Sequence, residues 1–129
     1  MLFCWNKTMN GFIDQDLLDL IRCAIRAGWV SVFNDPYGDF KEYFVPLSNE
    51  GLLVLSRTML STSSAETVYE YVVSVGENEV ATAVISTKDK IHSPAQQVVL
   101  ELFCQCAHQI VAQEMRGLFN SQVEKVYHS

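Results

Sequence analysis

The sequence predicts an α+β domain: an antiparallel sheet of about four strands in two hairpins, with helices packed on it, in the order α-β-β-α-β-β-α. Three observations predict it. Helical periodicity with end signals appears near both ends of the chain, in "DQDLLDLIRCAIRAG" and "SPAQQVVLELFCQCAHQIVAQ". Between them, runs rich in β-branched and aromatic residues come in pairs separated by turn residues. Strands joined by short turns pair antiparallel, and amphipathic helices at both ends then need a sheet face on which to bury their stripes.

The first helix has Asp14 as its cap and Asp16 in its first turn, where negative charge suits the helix dipole. Ile13 and Leu18 are placed for a hydrophobic staple. Leu17, Leu20, Ile21, Ala24 and Ile25 form the apolar stripe, Arg22 and Arg26 lie towards the C-terminal end, and Gly28 closes it. "WVSVF" and "FKEYFV" read as two strands around the turn Asp35-Pro36-Tyr37-Gly38, with Pro46 ending the second. For residues 48–60 the preferred reading is a short helix capped by Ser48, with Leu52, Leu55 and Met59 on one face. The alternative is a turn at 48–51 followed by a third strand. "STSSAE" is a loop. "ETVYEYVVSV" and "VATAVIST" form the second hairpin around Gly76-Glu77-Asn78-Glu79. The first of this pair carries bulk on both faces, as a central strand does. Ser93, Pro94 and Gln96 announce the last helix as a Ser-x-x-Gln capping box, and Gly117 is expected to end or kink it. The ββα pattern would then occur twice, at 29–60 and 67–117, without a sequence repeat.

A chain of 129 residues makes one domain, 1–129, with enough length for a core that needs neither metal nor disulfide. Apolar residues at 49% and charged residues at 19% describe globular material rather than a disordered tail. Nine basic against fifteen acidic residues leave a net charge of −6, which argues against nucleic-acid binding and permits a basic protein partner. The opening "MLFCWNKTMNGF" lacks the pattern of a signal peptide, and no run approaches the ~20 apolar residues of a membrane span. Cys4, Cys23, Cys104 and Cys106 are scattered as free thiols would be, so a cytoplasmic location is expected.

Catalytic and metal chemistry finds little footing. In "FCQCAHQ", a helix places Cys104 and His108 on one face and turns Cys106 some 200° away from Cys104, so the three cannot converge on one ion. Cys106 falls on the apolar stripe as a core residue. Cys104 with His108 is the best nucleophile–base pair, but it lies mid-helix without an orienting group. Phosphate-binding glycine motifs are absent, and the acids around Asp35 and Asp39 flank a turn where Asp bonds its own backbone. No catalytic residue, cofactor or metal is assigned.

The distinctive feature is acid beside aromatic. In "NDPYGDFKEYFVP", alternation sets Phe40, Glu42 and Phe44 against Lys41, Tyr43 and Val45, and Glu42 between two phenylalanines is awkward inside a core. Some aromatic surface is therefore expected to face outward or to lie under another element. Glu66, Glu70, Glu77 and Glu79 repeat the chemistry beside Tyr69 and Tyr71, in a stretch without lysine or arginine. Tyrosine supplies contact area and carboxylates pair with Lys or Arg. The candidate partner-binding set is Asp35, Tyr37, Asp39, Glu42, Glu66, Tyr69, Glu70, Tyr71, Glu77 and Glu79. The bland alternative is a set of solvated turn and strand-edge residues that discourage edge pairing.

In size, acidity and α+β organisation, with these acidic residues and no catalytic motif, the chain resembles the immunity proteins that neutralise nuclease toxins, including those of bacterial contact-dependent growth-inhibition systems. The resemblance is of type and involves no motif match. It implies one-to-one binding of a basic toxin domain by a monomer, with the acids opposite the toxin's substrate-binding surface. The chain is also similar to type III secretion chaperones, which are dimers that wrap an extended effector segment, although the strands between its first two helices are few for that family. A small enzyme using Cys104 is the third reading.

Overall fold

The structure is a computed structural model that describes residues 15–47 and 51–128, with side chains through Val123. The expected capping and staple roles of Asp14, Ile13 and Ser48, and the thiol of Cys4, fall outside these residues. In chain order the elements are α1 (Gln15–Ala27), β1 (Ser31–Asn34), β2 (Phe40–Pro46), β3 (Leu52–Thr62), β4 (Thr67–Val75), β5 (Asn78–Ser86) and α2 (Pro94–His128). The strands form one antiparallel meander in the order β1-β2-β3-β4-β5.

The α+β class and the two terminal helices follow the sequence reading, and two features correct it. Residues 52–62 form a strand rather than a helix, so the sheet has five strands and the order is α-β-β-β-β-β-α. Leu53 and Leu55 alternate into the core while Val54 and Ser56 point to the other face, and the strand is paired along its length with β2 on one side and β4 on the other. Ladder bonds on both sides and burial by alternation outweigh the helical propensity of "GLLVLSRTML". The double ββα pattern disappears with the middle helix. Gly117, expected to end or kink α2, lies within a helix that runs on to His128.

Both described helices pack on one face of the sheet. That face presents Tyr43 and Val45 from β2, Leu53 and Leu55 from β3, Tyr71 and Val73 from β4, and Ala81, Ala83 and Ile85 from β5. On α1, Leu17, Leu18, Ile21 and Ile25 are buried, each contributing about 1.5–3 kcal/mol of transfer free energy. Leu20 is exposed; it lies about 110° round the helix from the centre of that group, too far to join it. On α2, Val99, Leu102, Phe103 and Cys106 are buried. The rings of Tyr43 and Tyr71 meet Phe103 edge-on, with centroids 5.5 and 5.0 Å away.

Polar groups fix how the helices sit. The capping box forms both of its bonds, Gln96 N–H to Ser93 Oγ (3.2 Å) and Ser93 N–H to Gln96 Oε1 (2.8 Å). The Gln96 amide also donates to the Val84 carbonyl of β5, tying the start of α2 to the sheet. Gln113 of α2 is buried and accepts from Val30 N–H at 2.7 Å while donating to Val30 C=O at 2.9 Å, so it satisfies the link between α1 and β1. Orphaning either backbone group would cost about 1–3 kcal/mol. Arg22 of α1 pairs with Glu101 of α2, and Gln109 donates to the Arg26 carbonyl. These pairings make α1 run parallel to α2. At the end of α1, a Cβ on Gly28 would lie 2.7 Å from the Ala24 carbonyl oxygen and 3.0 Å from Val45 Cγ1, so only glycine lets the chain pass this close to β2.

Candidate functional site

The other face of the sheet carries neither described helix. Its central residues follow from alternation and register in three rows running across the strands, flanked by Pro46 and Leu52 at one end and by Val68 and Ser86 at the other. One row is Phe40, Thr58, Glu70 and Val84; the next is Phe33, Glu42, Ser56, Val72 and Thr82; the third is Ser31, Phe44, Val54, Ser74 and Glu79. Phe33 is 51% and Val84 48% exposed, while Phe40, Phe44, Val54 and Val72 are half-buried. The surface thus mixes six apolar side chains with five serine and threonine hydroxyls, and three carboxylates are set among them.

The strands give this face charge of one sign. The strands' two cations, Lys41 and Arg57, stand opposite each other on the helix side, over the rings of Tyr43 (5.6 Å) and Tyr69 (4.9 Å). Glu42 has Phe40 and Phe44 two positions away along β2 and Phe33 opposite it on β1. Burial among these rings holds its carboxyl above the ordinary glutamate range. Among the described residues no salt bridge engages Glu42 or Glu70. Glu79 accepts a hydrogen bond from Thr82 Oγ1 at 2.8 Å. A carboxylate flanked by phenyl rings, on a face to which the strands bring no lysine or arginine, suits a guanidinium or ammonium group, whose charge it pairs and whose stem the rings cover.

The sequence-predicted residues divide among several places. Glu42, Glu70 and Glu79, from both hairpins, share this face in three different rows. Tyr71 is buried under Phe103 and Tyr69 is half-buried beneath Arg57, both on the helix side, because alternation turns them away from Glu70. Tyr71 therefore leaves the surface set as a core residue, and Tyr69 does not share a face with Glu70. Asp35 holds its own turn: its Oδ1 accepts from Tyr37 N–H at 2.8 Å and its carbonyl from Gly38 N–H at 2.9 Å. Tyr37 is 87% exposed at that tip, with Asp39 exposed beside it. Glu66 fastens the start of β4 to the end of β5, accepting from Ser86 Oγ at 2.8 Å with Lys88 at 4.0 Å. Glu77 is exposed in the β4–β5 turn, where Gly76 takes the positive φ (62°) of the first loop position. In a meander the first and fourth turns lie at opposite ends of the strands, so the two acidic tips do not converge.

Sequence reasoning missed Phe33, Val54, Val72 and Val84. Their signal was present in the alternation of Phe40, Glu42 and Phe44, but without β3 as a strand the two hairpins could not be joined into one surface.

Elsewhere, Cys104 Sγ is 3.9 Å from His108 Nε2 on the exposed side of α2, and the Cys106 thiol, buried, is pushed up to about 12. Among the described residues no three His, Cys, Asp or Glu side chains gather as a metal site, and no helix is long and apolar enough to cross a membrane. Comparison with protein-family models, with curated proteins and with solved structures finds no match to this chain.

Proposed function

We propose that this chain is a cytoplasmic protein-binding domain that occludes the functional surface of a basic partner, in the manner of a toxin-neutralising immunity protein. One observation carries the reading: the sheet face away from both described helices combines Phe33, Phe40, Phe44, Val54, Val72 and Val84 with Glu42, Glu70 and Glu79 and takes no lysine or arginine from the strands. Apolar area with depleted counter-charge and embedded carboxylates favours a partner surface of Arg or Lys side chains separated by apolar ones. A nuclease domain offers such a surface where it holds phosphates, and covering that surface would silence it. The acidic turn at Asp35, Tyr37 and Asp39, at one end of the same strands, extends the contact on the β1–β2 side.

The test is to titrate isotope-labelled protein with candidate partners, beginning with any toxin domain encoded beside it. Amide resonances of Phe33, Glu42, Val54, Glu70 and Val84 should shift, and Glu42→Lys with Glu70→Lys should weaken the complex at least 100-fold. A complex that survives this double variant, or whose shifts fall on the helix side, overturns the proposal.

A further inference from the structure

The 35-residue helix α2 is about 52 Å long, and only part of it is used by the core. Among the described side chains Gln113 is its last buried residue, and 114–122 are all exposed. On the side turned away from Val99, Leu102, Cys106 and Gln113, a second row appears: Cys104, His108, Val111, Met115, Leu118 and Gln122. All six are exposed, with Met115 and Leu118 each at 62%. Their spacings are 4, 3, 4, 3 and 4, the a/d repeat of a coiled-coil seam. Phe119, 68% exposed, flanks the seam. From Gln105 to Val123 the only Asp, Glu, Lys or Arg residues are Glu114 and Arg116, whose charges cancel. A helix side that faced water alone would carry charge here; this side has the composition of an interface centre.

We infer that the outer side of α2 docks a second copy of this chain, helix against helix, to form a homodimer. The occupant follows from the pattern and the charge. A seven-residue seam is self-complementary, because the same a and d positions recur along both helices of a two-fold pair. Each copy carries −6, and this nearly neutral strip is where two such acidic molecules meet at least electrostatic cost. Nothing on it selects a basic partner, unlike the sheet face. This dimer is independent of the proposed sheet-face partner, since the two surfaces lie on opposite sides of the molecule.

Sedimentation equilibrium of the full chain, from low micromolar to several hundred micromolar, tests it. The expected result is a monomer–dimer equilibrium approaching twice the chain mass. Met115→Glu and Leu118→Glu, tested singly, should each raise the dissociation constant roughly 100-fold with an unchanged far-ultraviolet circular dichroism spectrum. Both residues are exposed, so folding does not depend on them. Val84→Glu, on the far face of the sheet, should leave the dimer intact. A wild-type chain that stays monomeric throughout, a dimer indifferent to both α2 variants, or one that dissociates with Val84→Glu overturns the inference.

Discussion

At Glu42 stability and the proposed binding role make opposite demands on a single side chain. Its carboxyl is held above the usual value of about 4.3 by burial among Phe33, Phe40 and Phe44, so the fold favours the protonated form. The linkage sign follows. The stabilising contribution of the neutral carboxyl is fully present below the ordinary glutamate value and is lost as pH rises through the raised one. At pH 7 the ionised group is therefore a burden on the free protein. Glu42→Gln is expected to raise the urea midpoint at pH 7 and to leave it unchanged near pH 3, while weakening a basic partner roughly tenfold by replacing a charge-assisted bond with a neutral one. Denaturation at the two pH values, with a partner titration beside it, checks both halves. A variant destabilised at pH 7 would mean that Glu42 serves the fold. Tyr71 shows the reverse case, a residue of binding-surface chemistry that the pleat commits to the core against Phe103.

At the scale of elements, legibility tracked how far local signals settled the outcome. α1, the β1–β2 turn, β4, β5 and the start of α2 carry their own caps, turn residues or alternation, and were readable from sequence. β3 was not, because "LLVLSRTML" is apolar on both faces and its state is decided by ladders to β2 and β4 that lie outside its own sequence. The candidate face was half legible for the same reason: its acids were visible, but their union required the strand between them. Gly117 read as a stop or a kink because glycine is a poor helix former, and the flanking turns carry the helix past it without a stop. A Cβ there would meet nothing within 4 Å. Gly117→Ala should therefore stabilise the last turns by about 0.5–1 kcal/mol. Since 114–122 do not pack on the sheet, the gain belongs to local fraying rather than to global unfolding. Amide exchange after Gln113 should slow roughly two- to fivefold while the global melting midpoint hardly moves. A large shift in that midpoint would show that the projecting turns are part of the cooperative core.

For the molecule as a whole, the two proposed surfaces differ in the force that would hold them, and salt distinguishes them. A basic partner approaching a chain of net charge −6 is steered by the long-range field and then paired at Glu42, Glu70 and Glu79. Raising ionic strength from about 0.01 to 0.15 M shortens the Debye length from roughly 30 to 8 Å, which screens the approach before it screens the contacts. The association rate should fall at least tenfold, with a smaller change in the dissociation rate. Self-association along α2 has the opposite character: its seam contributes apolar contact and nearly balanced charge, and salt screens the repulsion between two acidic copies. The dimer should tighten modestly over the same range. Stopped-flow association with the partner and sedimentation of the chain alone, both across that salt series, measure the two responses. Trends of the same sign would mean that one kind of force governs both surfaces, and the assignment of charge to the sheet face and apolar contact to the helix would have to be abandoned.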